Sequence, residues 1–125
     1  MLTHIALTVN EPEDINNFFK KILLFSLKKK FSINSETAMY FFNHKKAADV
    51  YLMDHDGTQF EIFHSKGKET KVFSHICLSY SKAEAIYKKA VESNYKVLIK
   101  RNPVNDTYFI SDKSGNVFEI KEIQE

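Results

Sequence analysis

Two histidines and two glutamates recur at matching points of this chain. His4 lies in Thr3-His4-Ile5-Ala6-Leu7-Thr8, and His75 in Ser74-His75-Ile76-Cys77-Leu78-Ser79. Glu61 follows Asp54-His55-Asp56-Gly57-Thr58-Gln59-Phe60, and Glu119 follows Asp112-Lys113-Ser114-Gly115-Asn116-Val117-Phe118. The pattern D-x-x-G-x-x-F-E-I recurs with identical spacing, which marks an internal repeat. Two imidazoles and two carboxylates form a donor set for a divalent metal ion. Any one of the four alone is more simply a solvated or hydrogen-bonded side chain. As a repeated pair they read as ligands.

The elements that must position them follow from periodicity. Residues 2–9 alternate as a half-buried strand, with Ile5, Leu7 and Val9 facing one way and His4, Ala6 and Thr8 the other. In 74–80, His75, Cys77 and Ser79 oppose Ile76, Leu78 and Tyr80. In 58–64, Gln59, Glu61 and Phe63 oppose Phe60 and Ile62; in 116–122, Val117, Glu119 and Lys121 oppose Phe118 and Ile120. Each His and each Glu therefore turns away from the large apolar neighbours on its own strand. The histidines share their face with small residues, which leaves room for a cavity.

Asn10-Glu11-Pro12-Glu13-Asp14 has the form of a helix start. Ile15, Phe18, Phe19, Ile22 and Leu23 then follow the spacing of one amphipathic helix face. In the second half, Ser81-x-x-Glu84 predicts a capping box, Ala83, Ile86, Tyr87, Ala90 and Val91 the helix face, and Asn94 the stop. Strands are expected at 95–101, 106–111 and 116–122, and within 26–34, 37–43, 48–53 and 58–64. Met39-Tyr40-Phe41-Phe42 is expected to be buried strand. His4 and Glu61 lie 57 positions apart but His75 and Glu119 only 44, so the first half holds an insertion. The chain is thus expected to form two βαβββ modules, about 1–66 and 72–125, joined through Ser65–Thr70 as one domain over 1–125. The expected class is α+β, a cupped mixed or antiparallel sheet with helices on its outer face.

Composition narrows the function classes. The net charge is +2, and scattered lysines supply most of the cations, so no nucleic-acid groove is indicated. Lys28-Lys29-Lys30 reads as a strand edge kept soluble by lysine. One cysteine, Cys77, allows no disulfide within the chain and suits a reducing cytoplasm. No apolar run approaches the ~20 residues of a membrane helix, and no signal peptide is visible.

These residues resemble the vicinal oxygen chelate superfamily, the glyoxalase and bleomycin-resistance fold. The likeness covers nearly the whole chain: the opening strand with its His, the helix, and the closing D-x-x-G…E strand. Where the family's helix ends in a Leu-Gly-Phe step, this chain has Leu23-Leu24-Phe25. The order His4, Glu61, His75, Glu119 is similar to that of the metal ligands of glyoxalase I, the lactoylglutathione lyase. The resemblance implies a divalent ion (nickel, cobalt, zinc, manganese or iron) and isomerisation by proton transfer on a small α-oxygenated substrate. It implies Glu119 as the catalytic base, with Glu61 as its partner. Glyoxalase I meets the glutathione carboxylates with an arginine and an asparagine; here those positions are Thr8 and Ser65, and the only arginine is Arg101. A methylglyoxal hemithioacetal of another thiol is therefore as compatible as one of glutathione.

Two other functions share the fold: a non-catalytic binder of a small molecule or antibiotic, and a dioxygenase or thiol transferase. The second glutamate disfavours the latter pair, which use two His and one Glu. A homodimer is expected, with modules paired within a chain or exchanged between two. His44, His55 and His64 read as structural, as does Cys77, for which no activating base is identifiable. Phe63 suits either an apolar substrate wall or core packing.

Overall fold

The computed structural model describes residues 2–65 and 74–123. The connection expected at 65–70 lies, after Ser65, outside them. Contacts divide the chain into two compact units, Met1–Lys68 and Glu69–Glu125.

The first unit runs β1 (His4–Val9), a π-helical segment (Ile15–Lys20), β2 (Ser26–Ile33), α1 (Ser35–Phe42), β3 (Ala48–His55) and β4 (Thr58–His64). Its four strands are ordered β1-β4-β3-β2. β1 runs parallel to β4, and the other pairs are antiparallel. The second unit runs β5 (His75–Tyr80), α2 (Ala83–Glu92), β6 (Lys96–Lys100), β7 (Thr107–Ser111) and β8 (Val117–Glu122). Its order is β5-β8-β7-β6, with β5 parallel to β8. Two four-stranded mixed sheets with a few helices make the chain α+β, as the alternation predicts.

Each sheet buries the face opposite its glutamate. Phe60, Ile62 and Met53 are buried in the first unit, and Phe118, Ile120 and Ile110 in the second. The predicted first helix face is buried in full: Ile15, Phe18, Phe19, Ile22 and Leu23. Its backbone is wider than the α-helix expected. Lys21 N–H donates to Asn16 O, and Leu23 N–H to Phe18 O, both five residues back. Beyond it Phe25 packs its ring on Phe19 and on Phe60, with centroids 5.6 and 4.7 Å apart. Leu24 occupies the left-handed region (φ 64°) that glycine favours, and Asn94 does so after α2 (φ 63°).

Two local expectations fail. Residues 37–43 are not a strand: they fall in α1 and its cap, and α1 is the element by which the first half exceeds the second. Asn34 Oδ1 accepts from Thr37 N–H at 2.8 Å, and Asn43 closes the helix in the left-handed region (φ 54°). Met39, Tyr40, Phe41 and Phe42 are all exposed, Tyr40 by 82%. The capping box at Ser81 and Glu84 also does not form. Position Lys82 caps α2 without a side-chain bond, and Ala83 N–H donates instead to Glu122 Oε2 at 2.9 Å.

The repeated D-x-x-G motif makes two different turns. In the first unit Asp56 (φ 49°) and Gly57 (φ 82°) form a two-residue hairpin loop, for which two consecutive positive φ values are required. In the second, Asp112 Oδ1 accepts from the N–H groups of Ser114 and Asn116, and Gly115 has φ 85°. Both turns start the glutamate strand. Lys28, Lys29 and Lys30 lie exposed on β2, an edge strand, as expected.

Candidate metal centre

Parallel pairing does what sequence spacing alone cannot. It aligns β1 with β4 so that Ala6 faces Glu61 and His4 faces Gln59. β5 and β8 repeat the register, with Cys77 facing Glu119 and His75 facing Val117. Each histidine thus lies diagonally beside its unit's glutamate on one sheet face. His4 Nε2 is 3.1 Å from Glu61 Oε1, and His75 Nε2 is 3.4 Å from Glu119 Oε1. The imidazoles are nearly half exposed and the carboxylates mostly covered.

The spacing fits the chemistry of the donors. Two ligand atoms bonded to one ion at about 2.1 Å stand roughly 3.0 Å apart at a right angle and roughly 3.4 Å apart at a tetrahedral angle. Separations of this size would let each His–Glu pair take two neighbouring positions on one ion. Among the described residues, no group of three or more His, Cys, Asp or Glu side chains is placed to hold a metal ion. Each unit holds one His–Glu pair.

The surroundings of the two pairs differ. In the second unit Lys121 Nζ lies 3.3 Å from Glu119 Oε2, on the oxygen that His75 does not face. Cys77 is exposed on this same face. Partial burial pushes its thiol up from the ordinary value, the Glu119 charge pushes it further, and Lys121 opposes both. Such a thiol is a poor nucleophile. In the first unit the position two residues past the glutamate is Phe63. Register places Thr8, Phe63, Val50 and Phe31 in one row across the sheet, and Ala6, Glu61, Leu52 and Lys29 in the next. Phe42 of α1 meets Phe63 edge-on, with centroids 5.6 Å apart. His44 Nε2 lies 2.8 Å from Ser65 Oγ, tying the end of α1 to the end of β4. The glutamate face of this unit is therefore largely apolar beyond the His4–Glu61 pair.

His55 and His64 stand apart from this face. His55 stacks on Phe25 (4.9 Å) on the buried side, and His64 shares that side by strand alternation. A cleft of about 410 Å³ between the start of α2 and Asn105–Asp106 is lined by Tyr108 and Glu122, on the opposite face from Glu119. Lys121 and Phe63 were placed on the glutamate faces by alternation; their contacts emerge only in the fold. The involvement of Phe42 was not legible, although Asn34 and Asn43 signal a helix around it.

The fold and its internal repeat define a protein of the glyoxalase and bleomycin-resistance fold. The profile of the Glyoxalase/Bleomycin resistance protein/Dioxygenase superfamily matches residues 1–120, and the chain belongs to that superfamily. The structure is similar to the genomically encoded fosfomycin resistance protein FosX of Listeria monocytogenes, at TM-score 0.76 and 11% identity over 99% of this chain and 93% of that one. A glyoxalase family protein from Enterococcus faecalis matches at TM-score 0.72 and 13% identity over 96% and 95%. A FosX mutant from Listeria monocytogenes, complexed with Mn(II) and 1S,2S-dihydroxypropylphosphonic acid, matches at TM-score 0.75 and 15% identity over 97% and 90%. No curated protein matches the sequence. Among the described residues, no helix is long and apolar enough to cross a membrane.

Proposed function

We propose that the chain is a single glyoxalase-like domain that acts as a metal-dependent lyase or isomerase of glyoxalase I type. His4, Glu61, His75 and Glu119 would hold one divalent ion. The observation that carries this reading is the same Nε2–Oε1 spacing, 3.1 and 3.4 Å, at repeat-related positions of both units. The Mn(II) bound by a FosX mutant of similar fold supports a divalent ion without selecting it. When bound, the ion supplies Lewis acidity toward two neighbouring substrate oxygens.

The chain's own groups supply the rest. Glu119 takes a proton from one substrate carbon and returns it to the next. Glu61 stays as the matching carboxylate, and the two imidazoles remain neutral donors. The substrate is a small α-oxygenated molecule, such as a hemithioacetal of methylglyoxal. With Thr8 and Ser65 in the places of the glutathione-binding arginine and asparagine, the thiol need not be glutathione. We further propose a homodimer in the cytoplasm, which light scattering at micromolar concentration would check.

Metal content of the purified chain is the test. About one divalent ion per site is expected, lost in Glu61→Gln and in His75→Ala. A chain that stays metal-free after reconstitution sinks the reading.

A second reading rests on Phe31 and Phe63 of the glutamate face with Phe42 beside Phe63: a non-catalytic binder of a small, antibiotic-type molecule. It requires ligand binding by the metal-free chain, measurable by calorimetry.

A further inference from the structure

We propose that Lys121 is a positioning residue that makes Glu119, and not Glu61, the carboxylate that leaves the metal to carry the proton. The inference rests on the metal-dependent reading above. Its ground is a break in the repeat. His4 matches His75, Glu61 matches Glu119, and the register of the parallel strands is the same in both units. Two residues further on the same faces, Phe63 stands in one unit and Lys121 in the other.

Lys121 and His75 divide one carboxylate between them. Nζ lies 3.3 Å from Oε2, and the imidazole Nε2 lies 3.4 Å from Oε1. An ammonium beside a carboxylate draws on the same lone pairs that a metal ion would. Beside a bound ion it would weaken the hold of the carboxylate on that ion and stabilise the carboxylate when free. Phe63 offers Glu61 no such alternative: its ring carries no charge and is engaged with Phe42. A symmetric donor set thus acquires one firm and one releasable glutamate. Lys121 is 51% exposed at its side chain, so it can follow Glu119 as that side chain moves.

The step balances without an added oxidant. The C–H bond of one substrate carbon breaks and an O–H bond forms on Glu119, while the electron pair passes to the adjacent carbonyl. The proton then returns to that neighbouring carbon, and a second proton passes from oxygen to oxygen. One carbon ends oxidised, its neighbour reduced, and Glu119 is restored.

The test uses the metal-free full chain titrated with Co(II) by calorimetry, alongside kcat and KM on methylglyoxal hemithioacetals. Glu119→Gln is expected to lose less Co(II) affinity than Glu61→Gln. Lys121→Met should bind Co(II) a few-fold more tightly and lower kcat about tenfold or more with KM nearly unchanged. Lys121→Arg should restore both values. Equal affinity losses in the two glutamine variants overturn the inference, as does unchanged or weaker Co(II) binding by Lys121→Met. In those cases a wild-type chain that binds Co(II) leaves the metal-dependent reading standing. A wild-type chain that binds none overturns both.

Discussion

Ala83 donates its backbone N–H to Glu122 Oε2 at 2.9 Å, so a strand carboxylate caps the helix that follows β5. Glu122 lies three residues past Glu119, and the bond links α2 to the strand that carries the proposed base. Carboxylate oxygens near a helix N-terminus satisfy an orphan donor and favour the local dipole. Glu122→Ala should therefore cost about 1 kcal/mol of unfolding free energy, read from the urea midpoint. Ser81→Ala should change stability by less than about 0.5 kcal/mol, because the capping box does not form. The reverse order would show that Ser81, not Glu122, is the cap.

Leu24 holds a left-handed backbone while its side chain is 51% exposed. A β-carbon in that region costs about 1–2 kcal/mol, and glycine removes the cost while adding freedom to the unfolded chain. Leu24→Gly is expected to stabilise the protein by about 0.5–1 kcal/mol. A lower melting temperature in that variant would mean that the Leu24 side chain contributes more by packing than its backbone loses.

Arg101 Nη1 donates to Asp106 Oδ2 at 2.6 Å, and Asn102 N–H donates to Asp106 Oδ1 at 3.2 Å. The guanidinium bond first, and the backbone bond after it, hold the Asp106 carboxyl below its ordinary value. A group depressed in the folded state adds stability above its unfolded pKa, and that stability is lost as pH falls through the folded value. Arg101→Met should be less stable than wild type at pH 7, by a small amount for so exposed a pair. The gap should narrow below about pH 4 as both chains protonate. A gap that persists unchanged at low pH would assign it to lost packing.

Metal binding should stabilise the native chain. At a free ion concentration about 100 times the Kd, linkage adds about 2.7 kcal/mol to unfolding. A chelator should remove that increment in the wild type and change nothing in His75→Ala. Equal melting curves for loaded and stripped wild type would speak against ligation by the folded chain.

Much of this was legible before any fold was drawn. Alternation turned His4, Glu61, His75 and Glu119 away from the large apolar residues of their own strands, because a strand's period of two leaves no freedom once one face is apolar. The helix face from Ile15 to Leu23 was found by its spacing, although the backbone there widened to a π-turn that spacing does not encode. Residues 37–43 misled. Their aromatic run has the composition of a strand, and only the capping asparagines at 34 and 43 argued for a helix.

Other relationships are tertiary in kind. That β1 pairs with β4, in parallel and in the register facing Ala6 with Glu61, depends on which strands meet. That pairing alone brings His4 to within 3.1 Å of Glu61 from 57 positions away. The sequence by itself determined which side chains share a face, because that is a local property of the backbone. Tertiary structure decided which faces became neighbours, and so placed His4 against Glu61 and Phe42 against Phe63. Those contacts depend on distances between strands and helices that no single segment contains.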